Sequence, residues 1–215
     1  MTHHVDRQVT CNIFHMSDTP SDPRLFWRLR IDCEGCHQLW LPDRLTVGSA
    51  AATVLPDLPI RGPLSRRHLT LHRGAEGWWA EAHAPVKQSG RATADRFDLG
   101  ARESLWLGDV GLRIERPSPI SSTATLQVQE PHRHAHGFDR VILLHDLCLL
   151  GPGRTPHIPC ASWSVPLVLF RRGDELHIQG RPDLELNGIP APEGGRLTQA
   201  TTVLGPGLRM HLEPA

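Results

Sequence analysis

Trp27-Arg28-Leu29-Arg30-Ile31 places apolar side chains at every second position and arginines at the others. That period of two is the signature of a strand with one buried face, because successive side chains leave a pleated backbone on opposite sides. Trp78-Trp79-Ala80-Glu81-Ala82 and Leu112-Arg113-Ile114-Glu115 read the same way, while Val141-Ile142-Leu143-Leu144 is a short apolar run without helical spacing. Nineteen Gly and nineteen Pro punctuate the 215 residues too often for long helices. Many short strands between turn signals predict an all-β chain, in which pairs of sheets bury their apolar faces against each other as sandwiches.

Working outward, two stretches share one order of landmarks. The first runs Leu45-Thr46-Val47-Gly48, Leu69-Thr70-Leu71-His72-Arg73-Gly74, Ser89-Gly90, Leu107-Gly108 and Gly111-Leu112-Arg113. The second runs Leu149-Leu150-Gly151, Leu167-Val168-Leu169-Phe170-Arg171-Arg172-Gly173, Asn187-Gly188, Leu204-Gly205 and Gly207-Leu208-Arg209. Gly48 to Gly90 spans 42 residues and Gly151 to Gly188 spans 37; the next intervals, to Gly108 and Gly205, are 18 and 17. Such offsets suggest one fold used twice, with shorter loops in the second copy. The expected organisation is a flexible arm over 1–23, a sandwich over 24–116, an irregular linker over 117–139 and a second sandwich over 140–215.

Charge narrows the partners. Basic and acidic residues both number 23, divided 15 against 14 over 1–120 and 8 against 9 over the rest. Neither half has a field that would draw it to nucleic acid or an anionic membrane. No basic stretch precedes an apolar core at the amino terminus, and no run approaches a membrane span, so the expected location is cytoplasmic. Five cysteines at irregular positions form no disulfide framework and read as buried reduced thiols.

Leu64-Ser65-Arg66-Arg67-His68-Leu69 follows Gly48 at a short interval, and Leu105-Trp106-Leu107-Gly108-Asp109 comes later. This order resembles the forkhead-associated (FHA) domain over residues 25–116, with Ser65, Arg66 and His68 matching the family's Ser-Arg-x-His and 105–109 its late Leu-x-x-Gly-Asp pair. The resemblance implies a phosphothreonine-peptide module in Ser/Thr-kinase signalling, with Ser65 as phosphate donor and Gly48 and His68 structural. A hydroxyl, loop N–H groups and guanidinium forks can together hold a phosphoryl group through charge-assisted bonds. The chain departs from the family at Ser49, where an arginine follows the early glycine, and at Ser89-Gly90, where the family has Asn-Gly. The expected phosphopeptide-binding set is therefore Ser49, Arg61, Ser65, Arg66, Ser89, Gly90 and Arg91, with Arg61 or Arg91 as substitute cations. The second copy has Gly151-Pro152 and Ser164-Val165-Pro166-Leu167 at the corresponding places, so phosphate recognition is expected to be lost there; its Asn187-Gly188 reads as a turn.

Two other classes stand beside this reading. Both copies could be degenerate sandwiches that make phosphorylation-independent protein contacts through exposed tryptophan or apolar surface. An enzyme would need a metal on Cys33-Glu34-Gly35-Cys36-His37 or on His132, His134 and His136, and the first has only half a structural zinc set. No nucleophile elbow, phosphate loop or paired metal carboxylates is present, so the expectation is a non-enzymatic protein-binding molecule without metal or cofactor.

Overall fold

The computed structural model describes residues 26–214, and these form strands, turns and loops without a helix. The arm expected over 1–23 lies outside them. No helix among the described residues is long and apolar enough to cross a membrane. In chain order the strands begin with β1 (Phe26–Ile31), β2 (Gly35–Trp40), β3 (Arg44–Ser49), β4 (Leu58–Arg61), β5 (Leu69–Arg73) and β6 (Trp78–Ala82). They continue with β7 (Val86–Gln88), β8 (Arg91–Ala92), β9 (Arg96–Asp98), β10 (Arg102–Leu107), β11 (Val110–Glu115), β12 (Ala124–Val128), β13 (Arg133–His134) and β14 (Arg140–Leu143). The last group is β15 (Leu147–Gly151), β16 (Ile158–Pro159), β17 (Leu167–Arg172), β18 (Glu175–Gln179), β19 (Glu185–Leu186), β20 (Ile189–Pro190), β21 (Gly195–Leu197), β22 (Thr202–Gly205) and β23 (Leu208–Pro214).

Three sheets result. A twelve-stranded sheet has the order β20-β19-β22-β23-β1-β2-β14-β12-β11-β10-β7-β8; a six-stranded sheet has β13-β4-β3-β5-β6-β9; a five-stranded sheet has β16-β15-β17-β18-β21. The last two repeat one strand order, and β11-β10-β7-β8 matches β23-β22-β19-β20 in the same way. Two hydrophobic cores separate along the long sheet. One gathers Trp40, Leu45, Val47, Leu69, Leu105, Leu112, Val141 and Leu143; the other gathers Trp27, Leu29, Leu39, Ile142, Leu169, Ile178, Met210 and Leu212.

At the centre, β2 and β14 pair in parallel, Leu39 with Ile142 and Trp40 with Leu143. Trp40 and Leu143 enter the first core, Leu39 and Ile142 the second, so these two strands are covered on both faces. The apolar run 141–144 is explained by that double burial, since a strand covered on both sides has no polar alternate positions. Residues 103 apart in sequence correspond across this seam: Trp40 with Leu143, Asp43 with Asp146, Gly48 with Gly151. Parallel neighbours with cores on opposite faces are what an approximate two-fold axis along the strands produces.

The strand assignment corrects the expected boundaries. β1, first among the described strands, pairs with β23 (Leu29 with Leu212, Ile31 with Met210) and buries Trp27, Leu29 and Ile31 in the second core. The expected linker is ordered sheet: β12 pairs with both β11 and β14, and its Ala124 and Leu126 fill the first core. The first sandwich is thus completed by β12 and β14, which follow it directly in sequence, and the second by β1 and β2, from before the first. Local pattern favours neither arrangement, because β1 and β12 are each apolar on one face and fit an open sheet edge; the pairing partner is decided by the global topology.

Two arginines at equivalent positions tie the connections together. Arg73 Nη1 donates to His145 O at 3.4 Å in the β14–β15 connection, and Arg171 Nη1 donates to Leu41 O at 2.8 Å beside β2. Both reach Asp43, Arg73 in close contact and Arg171 at 3.7 Å. Burial lowers the Arg73 pKa, with Arg171's charge adding to the effect. Among the cysteines, Cys148 and Cys160 lie buried in the second core, where desolvation raises both thiols, Cys160 to about 12. Cys33 is exposed at the β1–β2 turn, against the expectation of burial.

Leu29 is fully buried. Leu29→Ala is predicted to cost about 2–5 kcal/mol, the usual range for a leucine truncated in a core. Hydrogen exchange of the variant should show lost protection in β22 and β23; loss confined to β3–β11 would contradict the strand exchange.

Candidate functional site

Parallel pairing of β3 with β4 (Val47 with Leu58, Ser49 with Ile60) brings their C-terminal ends to one rim of the first sandwich. The start of β5 and the end of β6 meet there too, because Val47 pairs with Leu69 and Leu69 with Ala82. The loops at this rim are 50–57, 62–68 and 83–85.

Gly48 allows the 62–68 loop to cross the end of β3. A Cβ on Gly48 would lie 2.1 Å from Arg66 O and 2.9 Å from Ser65 O. The loop is then bonded in place: Ser49 N–H donates to Ser65 O at 3.0 Å, and His68 N–H to Val47 O at 2.9 Å. The buried His68 ring braces it from the other side. Its Nδ1 accepts from Ser65 N–H at 3.4 Å, so Nε2 carries the hydrogen and donates to Pro85 O at 3.1 Å. One imidazole thus joins the 62–68 loop to the 83–85 loop, and the Ser65 side chain is left exposed above it. Ser49 is half-buried, and its Oγ accepts from Ala51 N–H at 3.2 Å, which shapes the turn leaving β3.

Alternation places the cations. Ile60 is fully buried, so its neighbour Arg61 projects from the opposite, outer face of β4. The Gly48 contact puts Ser65 and Arg66 over that same outer face. Arg61 lies one strand over and two residues along from Gly48, on the order of 8 Å between Cα atoms by strand geometry, within reach of an arginine side chain. Arg66 is exposed on the loop itself. Ser49, Arg61, Ser65, Arg66, Gly48 and His68 therefore share one rim.

Ser89, Gly90 and Arg91 do not join them. Ser89 and Gly90 have φ of +48° and +83° and close the β7–β8 hairpin, with Gln88 opposite Arg91. β7 leaves the rim after Pro85, and Ser89 stands three residues beyond Val86, about 10 Å further along at 3.3 Å per residue. Its N–H is bonded to Ser104 O rather than to the rim loops. Asn187-Gly188 forms the same turn between β19 and β20, with φ of +52° and +79°. Two consecutive positive φ values define the mirror-image hairpin turn that such pairs favour.

The corresponding rim of the second sandwich has a different floor. A Cβ on Gly151 would lie 2.9 Å from Pro166 Cα, so Pro166 sits where the first sandwich presents Ser65 and Arg66. At the Cys33/Cys36 turn and the His132–His136 stretch, as elsewhere among the described residues, no three His, Cys, Asp or Glu side chains gather as a metal-holding group. His134 instead turns into the sandwich, its Nδ1 accepting from His136 N–H at 3.2 Å and its ring beside Phe138.

Sequence reasoning missed one cation. Arg133 lies in the presumed linker, yet β13 adds to β4 so that Arg133 stands directly opposite Arg61. No local signal marks it, because the pairing joins residues far apart in the chain. Comparison with protein-family models, with curated proteins and with solved structures finds no match for this chain.

Two predictions follow from this geometry. Gly48→Ala should displace the 65–66 backbone and cost about 1–3 kcal/mol, as overpacking does; chemical denaturation and the amide shifts of 62–68 check it. Burial also holds the His134 and His157 side chains down at about 4, against 6.5 for a free histidine. The unfolded chain then takes up protons first as pH falls, so stability is complete above pH 6.5 and declines toward pH 4. Unfolding free energies from denaturant titrations at pH 7 and pH 5 should differ by about 2 kcal/mol per histidine; equal values would show that neither ring is buried uncharged.

Proposed function

We propose that the first sandwich is a non-enzymatic, FHA-type recognition module whose rim binds a phosphothreonine-bearing protein or peptide, as in Ser/Thr-kinase signalling. The observation that carries this reading is that Ser65, Arg61 and Arg66 all lie exposed at one rim, beside a backbone braced by Gly48 and His68. A hydroxyl donor and planar cationic forks at one edge suit a tetrahedral dianion better than an apolar or cationic ligand. Preorganisation adds to this, because the loop is bonded to β3 and to the 83–85 loop before any ligand arrives. The second sandwich, with Pro166 at the same place, contributes scaffold rather than phosphate binding.

One observation favours the alternative of phosphorylation-independent contact. Trp106 is 39% exposed on the outer face of β10, opposite Gly111 and Lys87, with the Gln129 side chain lying over Gly111. Exposed tryptophan on an open sheet face is a common anchor for protein association.

The two readings separate in one titration. Against a phosphothreonine peptide library, the wild type should bind phosphorylated members selectively, and Ser65→Ala should weaken that binding about tenfold by removing a charge-assisted bond. Trp106→Ala should leave it unchanged. Equal weak binding of phosphorylated and unphosphorylated peptides would rule out the phosphate reading.

A further inference from the structure

Arg61 and Arg133 form a directly opposed cross-strand pair. The neighbouring pair, Ile60 with His134, is buried, so alternation sends both arginines to the outer face of the sheet, with Cβ atoms roughly 5 Å apart. Like charges so placed repel, and a sheet normally avoids them or sets an acid beside them. Among the described residues no carboxylate comes within ion-pair distance of either guanidinium. Asp109 and Glu130, on neighbouring turns, are exposed and make no ion pair with them.

The arrangement is also built rather than incidental. Ala135 N–H donates to Pro59 O at 2.8 Å, extending the β13–β4 pairing, and His134 is buried to anchor it. The loop holding Arg133 is fitted against the loop holding Ser65: a Cβ on Gly62 would lie 2.9 Å from the His132 ring and 2.8 Å from Val110. Gly62 therefore lets His132 pack three residues before Ser65, and Arg133 follows His132 immediately.

We infer that Arg61 and Arg133 are a paired guanidinium clamp for the phosphate of a phosphorylated peptide, with Arg133 supplied by the hairpin that follows the sandwich in sequence. The clamp rests on the reading of the rim given above and names the cations of that same site. It supplies the charge absent at Ser49. A phosphate monoester carries close to two negative charges at neutral pH and offers three acceptor oxygens, enough to neutralise two guanidinium groups and accept from both. A carboxylate would neutralise one and leave the repulsion standing.

The test uses the whole chain and a degenerate peptide pool with a fixed central phosphothreonine, beside the same pool with threonine. Arg133→Ala and Arg61→Ala should each lower affinity for the phosphorylated pool tenfold or more and flatten its salt dependence, with no effect on the unphosphorylated pool. Arg133→Lys should recover only part of the loss, because a point charge lacks the fork. Without ligand, Arg133→Ala should melt at the same temperature as wild type or higher, most clearly at low salt, since one of two repelling charges is gone; a lower melting temperature would mark a structural role and overturn the clamp. Selective phosphopeptide binding that Ser65→Ala weakens and Arg133→Ala does not would remove the clamp and leave the reading of the rim intact. No preference for the phosphorylated pool in the wild type would remove both.

Discussion

The structure depends on β2 and β14 lying side by side with both faces covered. A strand in that position can expose no polar alternate face, and the buried pairs Leu39 with Ile142 and Trp40 with Leu143 hand successive side chains to opposite cores. One twelve-stranded sheet thereby serves two sandwiches, and neither core is complete without residues from both halves of the chain. At about 1.5–3 kcal/mol for each large apolar side chain buried, the seam couples the two folding units strongly.

The exchange of hairpins follows from that seam. β2 leads directly into β3 yet lies on the β1–β23 side of the sheet, and β14 leads into β15 yet lies on the β12–β11 side, with β1 and β12 on the outer sides of the pair. β1 then meets β23 and β12 meets β11. Arg73 and Arg171 close the same region by bonding carbonyls of the β14–β15 and β2–β3 connections and sharing Asp43. The exchange also has a consequence for the rim: the excursion between β12 and β14 runs beside β4, and only for that reason can Arg133 face Arg61.

Much of the strand content is legible in the amino-acid order because one-sided burial imposes a period of two, as in 27–31, 78–82 and 112–115. The repeat is legible as well, since glycines recur wherever a loop crosses a strand end or a hairpin turns. The pairing partners are not. Ala124-Thr125-Leu126-Gln127-Val128 alternates as a strand should, but Ser121-Ser122-Thr123 before it and Pro131-His132-Arg133-His134 after it carry loop composition. At the rim, Gly48, Ser65 and His68 are legible through a motif whose spacing reflects a local loop. Ser89-Gly90 misleads because a pair suited to two positive φ values marks any tight hairpin, whichever end of the sheet it closes. Arg133 is invisible from sequence because its partner is 72 residues away.

The shared sheet and the hairpin exchange are the claim on which the rim, its second arginine and the coupling of the two units all rest. Backbone proton–proton NOEs of the uniformly labelled chain test it most directly, since the exchanged and unexchanged arrangements differ in which strands touch. The account predicts cross-strand NOEs between Leu29 and Leu212 and between Ile114 and Leu126. NOEs joining β1 to β11, together with others joining β12 to β23, would contradict it.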